Sequence, residues 1–222
     1  MRPNDLSWMH KKGAEAIEKG KLDSYREIEG WLSLPPCSFD KESLSDRFHF
    51  HLREAGLFRK EHNLLFVEKG DSESDTPFLP YGVYLDSLRS GYNVGNIVRT
   101  TEALRFGTLF FSSDTPPLSN KKVKDAAMGA DSHVHVEVIT DLSSLPRPLI
   151  AVETVENAIP YTEFDFPTSG TLLLGNEEYG LSQESLEAAD FYVSIPLCGR
   201  KNSLNVANAF AILASHIRSS VT

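Results

Sequence analysis

The chain has 222 residues, 41% hydrophobic and 24% charged. That is enough apolar content for one ordinary domain plus a smaller one, and it excludes a largely disordered chain. Apolar runs such as 64–67 and 108–111 are far too short to span a membrane, and the start Met1-Arg-Pro-Asn-Asp-Leu lacks a signal-peptide stretch, so a soluble, cytoplasmic protein is expected. Cys37 and Cys198 offer no paired C-x-x-C spacing, which argues against a disulfide framework or a cysteine zinc site, and the net charge of -9 argues against broad electrostatic adhesion to nucleic acid.

From the start to about residue 57, apolar residues recur at helical spacing. Leu22, Tyr25, Ile28 and Trp31-Leu32 form one face, and Leu44, Phe48 and Leu52 form another beyond Pro35-Pro36. Asp40 stands where its carboxylate caps the second of these, and Gly56 lies near its end. The pattern predicts about three helices. The polar run at 68–80, with Gly and Pro and no apolar period, marks a boundary, giving an N-terminal helical region at 1–77 and a second domain at 78–222.

Beyond the boundary the pattern changes. Short β-prone runs at 81–85, 108–112, 134–139, 149–153, 171–174 and 191–195 alternate with helical stretches, which predicts an α/β domain with a mostly parallel sheet covered on both faces. One helix is expected over 95–106, with Ile97, Thr101 and Leu104 inward and Gly107 as a left-handed cap. The last helix is expected over 204–218, with Leu204, Ala207, Phe210, Ala211, Ala214 and Ile217 as its apolar stripe.

Three polar segments interrupt this pattern at the ends of strands, where α/β enzymes hold ligands. The first, Asn93-Val-Gly-Asn-Ile-Val-Arg99, is expected on a strand-to-helix turn, where Gly95 allows close approach of ligand or chain. The second is Gly175-Asn-Glu-Glu-Tyr-Gly-Leu181, and the third is Ile195-Pro-Leu-Cys-Gly-Arg-Lys-Asn-Ser-Leu-Asn-Val206. Together, from about residue 80 to 217, they resemble the SpoU (TrmH-like) RNA ribose 2'-O-methyltransferases.

The resemblance implies the knotted SPOUT methyltransferase fold, S-adenosylmethionine as methyl donor, tRNA or rRNA as acceptor, and a homodimer. It implies Asn93, Arg99, Glu177, Ser203 and Asn205 as the catalytic set. Gly175, Asn176, Ile195, Leu197, Ser203 and Leu204 are implied as cofactor contacts, with Ile195, Leu197 and Leu204 walling the adenine. The family usually has Gly where this chain has Glu178, and a small residue where it has Asn208.

A guanidinium stays protonated at any accessible pH, so the role the resemblance implies for Arg99 is to fix a phosphate and stabilise developing alkoxide rather than to act as a base. The bland reading of Arg99 is a pair with Glu102, that of Glu177 is a residue favoured by a helix N-terminus, and that of Ser203 is an N-cap. RNA contact needs a local patch, because residues 1–77 carry 12 Lys and Arg against 15 Asp and Glu, and 78–222 carry 10 against 16. The candidates are Arg53, Arg59, Lys60, Lys121, Lys122, Lys124, Arg147, Arg200 and Lys201.

His49-x-His51 and His133-x-His135 have metal-like spacing without a third ligand, and no metal is expected. Two other functions compete: a noncatalytic RNA-binding module of SPOUT descent, and a generic doubly wound nucleotide-binding enzyme. The second lacks both G-x-G-x-x-G and G-x-x-x-x-G-K-[ST].

Overall fold

The computed structural model describes residues 3–57 and 74–220, with the side chains of 3–5 and 41 left out. Arg59, Lys60, the apolar run 64–67 and the stretch 68–73 of the boundary lie outside the described residues. The chain divides into two compact units, Met1–Ser74 and Asp75–Thr222.

In the first unit, helices α1 (Pro3–Glu18), α2 (Leu22–Trp31) and α3 (Lys41–Glu54) enclose a small core that includes Ala14, Ile17, Tyr25, Ile28, Leu44, Phe48 and Leu52. Asp40 caps α3 by accepting from the Ser43 amide at 2.9 Å. Trp31 departs from the expected face: it ends α2 and is 54% exposed. His49 and His51 diverge, His49 outward and His51 into the core. There His51 Nδ1 lies 2.9 Å from His10 Nδ1, and its Nε2 lies 2.8 Å from the Tyr25 hydroxyl.

The second unit carries seven strands in the order β3-β2-β1-β6-β4-β7-β5. They are β1 (Tyr81–Leu85), β2 (Gly107–Phe111), β3 (Val136–Val138), β4 (Leu149–Val152), β5 (Ile159–Pro160), β6 (Gly170–Leu174) and β7 (Phe191–Ser194), and every pairing is parallel. Alternate side chains enter two cores. Val83, Leu85, Leu109, Phe111, Leu172 and Leu174 pack on one face, and Tyr84, Phe110, Leu149, Ala151 and Leu173 on the other. Two-faced burial is why these runs read as continuously apolar. The two-residue β5 was too short to show a period.

Helix α4 spans Gly91–Ala103, four residues earlier than expected at its start, because Ser90 caps it by accepting from the Asn93 amide. Asn93 and Gly95 are therefore inside the helix rather than on a turn. A Cβ on Gly95 would stand 2.4 Å from the Val123 carbonyl oxygen of α5 (Lys121–Ala127), so the glycine allows two helices to touch. At the other end Arg105 takes the positive φ of 48° and Gly107 opens β2, so Gly107 is not the cap.

The expected 134–139 strand is cut to Val136–Val138. After α6 (Gln183–Ala188) and β7, the last helix, α7, spans Val206–Ser220. Its buried stripe is Ala207, Phe210, Leu213, Ala214 and Ile217, while Leu204 precedes the helix and is exposed. No described helix is long and apolar enough to cross a membrane.

Candidate active site

Strands β1, β6, β4 and β7 lie side by side and in register, with Leu85 level with Leu174 and Val152 level with Leu174 and Val193. Their C-terminal ends thus open onto one place. The loops leaving β4, β6 and β7 enclose a cavity of about 750 Å³ there. Val152 to Val155 line it from β4, Leu174 to Leu181 from β6, and Ser194, Ile195, Leu197 and 202–206 from β7. This is the crevice beyond the carboxyl ends of parallel strands in which open α/β sheets take ligands.

The loop after β6 is held from several sides. Asn176 and Gly180 exchange both backbone hydrogen bonds, the Asn176 side chain donates to the Ser87 carbonyl, and its Oδ1 accepts from the Glu178 amide at 2.9 Å. A Cβ on Gly175 would lie 2.2 Å from the Gly180 carbonyl carbon. That glycine is needed first for the loop to return on itself. Asp86, buried at the end of β1, accepts from the Ser182 amide at 2.8 Å and the Ser185 hydroxyl at 2.7 Å. Glu153 accepts from the Leu181 amide at 3.3 Å.

One polar chain crosses the wall of the cavity. Asn205 Nδ2 donates to Asn93 Oδ1 at 3.0 Å, and Asn93 Nδ2 donates to Glu177 Oε1 at 2.8 Å. Glu177 also accepts from the backbone amides of Arg89 at 3.0 Å and Ser90 at 3.1 Å. The amide of Asn93 is thereby fixed in orientation at both ends. Burial pushes the Glu177 carboxyl upward, but the Arg89 amide, the Asn93 side chain and the Ser90 amide outweigh it and hold the group below its ordinary value. It also sits at the start of α4, where the helix dipole favours a carboxylate.

Asn205, not Ser203, caps α7: its Oδ1 accepts from the amides of Ala207 at 3.0 Å and Asn208 at 3.3 Å. Ser203 is exposed on the cavity wall. Gly175, Asn176, Ile195, Leu197 and Leu204 line the same cavity, and the three apolar ones give one side of it hydrocarbon character.

Neither Asn93 nor Arg99 lines the cavity, and only Asn93 is bonded to residues that do. Arg99 lies on the exposed side of α4, with Nη1 2.9 Å from the Met128 sulfur, and no ion pair to Glu102 is formed. Asn93, Glu177 and Asn205 are brought together within one chain, and Arg99 is not.

Glu178 pairs with the Arg89 guanidinium, and Tyr179 beside it lines the cavity. The sequence pattern missed Arg89, Asp86 and Glu153. Only Asp86 left a signal, as an acid directly after a buried strand. Among the described residues no group of three or more His, Cys, Asp or Glu is placed to hold a metal ion.

Known proteins share this architecture. The SpoU rRNA Methylase family profile matches residues 80–215. A Bacillus subtilis protein named 23S rRNA (guanosine(2553)-2'-O)-methyltransferase RlmP is 33% identical over 141 residues, covering 60% of this chain and 56% of its own length.

Among solved structures, an rRNA methyltransferase from Sinorhizobium meliloti with AdoMet bound superposes with a TM-score of 0.60 at 25% identity, over 64% of this chain and 57% of that one. A second, described as giving insight into 2-OH methylation of C/U34 on tRNA, has a TM-score of 0.55 at 26% identity and covers 64% of this chain and 95% of that one. The chain spans little more than half the length of the Bacillus and Sinorhizobium relatives.

Proposed function

Because the chain belongs to the SpoU rRNA methylase family, we propose that it transfers a methyl group from S-adenosylmethionine to a ribose 2'-hydroxyl in tRNA or rRNA. The observation that carries this is the cavity at the strand ends, with the Glu177–Asn93–Asn205 chain built into its wall.

The residues present fit the cofactor. A cavity of about 750 Å³ has room for a nucleoside with its amino-acid tail, and Ile195, Leu197 and Leu204 offer an apolar side for a purine. Gly175, Asn176 and Ser203 would hold the polar remainder. S-adenosylmethionine supplies an electrophilic methyl on a sulfonium centre.

The protein's own role is to bring a ribose oxygen into line and to accommodate the charge that develops on it. Asn93, locked between Glu177 and Asn205, does not itself line the cavity and keeps those two lining side chains in fixed positions. Ionised Glu177 holds that lock closed and orders the start of α4. Arg99 fixes a phosphate of the acceptor and stabilises alkoxide, since a guanidinium does not take up the proton.

Arg99 lies outside the cavity of its own chain, and this supports a homodimer in which a second copy supplies it. The same reading gives the segment from Gly175 into α7 the threaded, trefoil-knotted path of the SPOUT superfamily, and assigns the protein to the cytoplasm. The N-terminal helices dock RNA or support the dimer.

Equilibrium dialysis with labelled S-adenosylmethionine tests the site. Wild type binds, and Leu197→Glu, which puts a charge against the apolar wall, abolishes binding while the far-UV spectrum is kept. Equal binding by both proteins would remove the cavity from the proposal. Binding without transfer to any RNA would leave the noncatalytic module in its place.

A further inference from the structure

We infer that Arg89, Glu178 and Tyr179 form a nucleotide-binding subsite on the rim of the cavity, in which an RNA phosphate displaces Glu178 from Arg89 and an unpaired base stacks on Tyr179. This rests on the RNA methyltransferase reading above and adds to it the place where the acceptor strand is gripped. None of the three side chains belongs to the Glu177–Asn93–Asn205 chain.

The geometry supports it in three ways. First, the Arg89 guanidinium pairs with the Glu178 carboxylate while the two side chains remain 62% and 68% exposed. Such a pair is screened by water and salt and held at a cost in side-chain freedom, so a competing anion opens it readily. A phosphodiester accepts the planar guanidinium fork through two oxygens at once, which one carboxylate contact does not match.

Second, the Tyr179 ring lies 5.8 Å from the Arg89 guanidinium and is 56% exposed, an aromatic surface with no core to fill. Unpaired bases stack on such rings, with an arginine alongside to hold the backbone.

Third, the position is right. The Arg89 backbone amide donates to Glu177, and Glu178 and Tyr179 both line the cavity. A phosphate on Arg89 therefore sits beside the polar chain at which the acceptor ribose is expected. Glu178 also has a role of its own. Because the anion must displace a carboxylate rather than meet a bare cation, free phosphate gains little, while a nucleotide that also stacks gains from both contacts.

The test measures methyl transfer to total RNA purified from cells lacking this protein, at saturating S-adenosylmethionine, as the RNA concentration and the salt are varied. Arg89→Ala removes the guanidinium but keeps the backbone amide that holds Glu177. It raises the half-saturating RNA concentration by about tenfold, the worth of one charge-assisted contact less a weak surface pair.

The same variant lowers the salt slope of RNA affinity by about one. Its dissociation constant for S-adenosylmethionine does not change, and Arg89→Lys restores some of the RNA affinity. Tyr179→Ala raises the half-saturating concentration without moving the salt slope. Glu178→Gln lowers it in the wild-type background and has no effect on top of Arg89→Ala.

An RNA dependence indifferent to Arg89 in an active enzyme overturns the subsite alone, as does a loss confined to cofactor affinity. A wild-type protein that neither binds S-adenosylmethionine nor methylates RNA overturns the functional reading and the subsite with it.

Discussion

Asn93 has both ends of its amide committed, to Glu177 at 2.8 Å and from Asn205 at 3.0 Å, and neither bond can be replaced by a hydrocarbon side chain. Asn93→Ala is expected to lower the methyl-transfer rate by roughly 100-fold, the scale for misplacing groups around a reacting centre, because it releases Glu177 and Asn205 from their fixed positions. A rate within a few fold of wild type would show the chain of bonds to be structural only.

Glu177 adds a pH dependence. Its carboxyl is held below the ordinary value of 4.5, so its bonds contribute fully above that pH and are lost as the pH falls through the lowered value. Asp86 is a buried acceptor of two donors, and Asp86→Ala should cost about 1–3 kcal/mol in urea unfolding.

Asn93, Glu177 and Asn205 were singled out by the resemblance of their three motifs to the SpoU family, since apolar periodicity alone does not pick out polar positions. Asp86 was harder to read. Its partners Ser182 and Ser185 lie 96 and 99 residues away, a pairing that only the sheet order creates.

At the scale of the elements, short β-prone apolar runs placed the six longer strands to within two residues at each end, since two-faced burial leaves an unbroken apolar run. Helix starts were less legible. A cap is decided by one side chain in competition with its neighbours. Ser90 rather than a residue near Gly95 starts α4, and Asn205 rather than Ser203 starts α7.

The two caps give a direct comparison. Asn205→Ala should lose about 1 kcal/mol of stability and Ser203→Ala close to none, by thermal or urea unfolding. Gly95 carries the α4–α5 contact, where an added Cβ would stand 2.4 Å from the Val123 oxygen and 2.6 Å from the Ala126 Cβ. Gly95→Ala must therefore push α4 and α5 apart and is expected to cost roughly 1–3 kcal/mol. An unchanged unfolding midpoint would contradict that packing.

At the scale of the whole molecule, the first unit carries a buried histidine that makes it acid-sensitive. His51 is fully buried, and burial first, then His10 and Arg47, lowers its pKa from 6.5 to about 4. The unfolded chain then binds a proton that the folded unit refuses. Stability present above pH 6.5 is lost as the pH falls toward 4, by roughly 3 kcal/mol in all.

Both tryptophans, Trp8 and Trp31, belong to this first unit, so their fluorescence reports on it alone. The urea midpoint followed this way should fall between pH 7 and pH 5, and His51→Phe should flatten the dependence. The exposed position of Arg99 on α4, on a different side from buried Ile97 and Thr101, makes a second expectation at this scale. Sedimentation equilibrium should find a dimer, and a monomer active at nanomolar concentration would contradict the sharing of Arg99.

The central claim is that the methyl group ends on ribose oxygen. Total RNA from cells lacking the protein is incubated with labelled S-adenosylmethionine and wild-type or Arg99→Ala protein, digested to nucleosides, and resolved by mass spectrometry. The account predicts label on a 2'-O-methylated nucleoside that is lost with Arg99→Ala. Label on a base, or an Arg99→Ala protein as active as wild type, would contradict it.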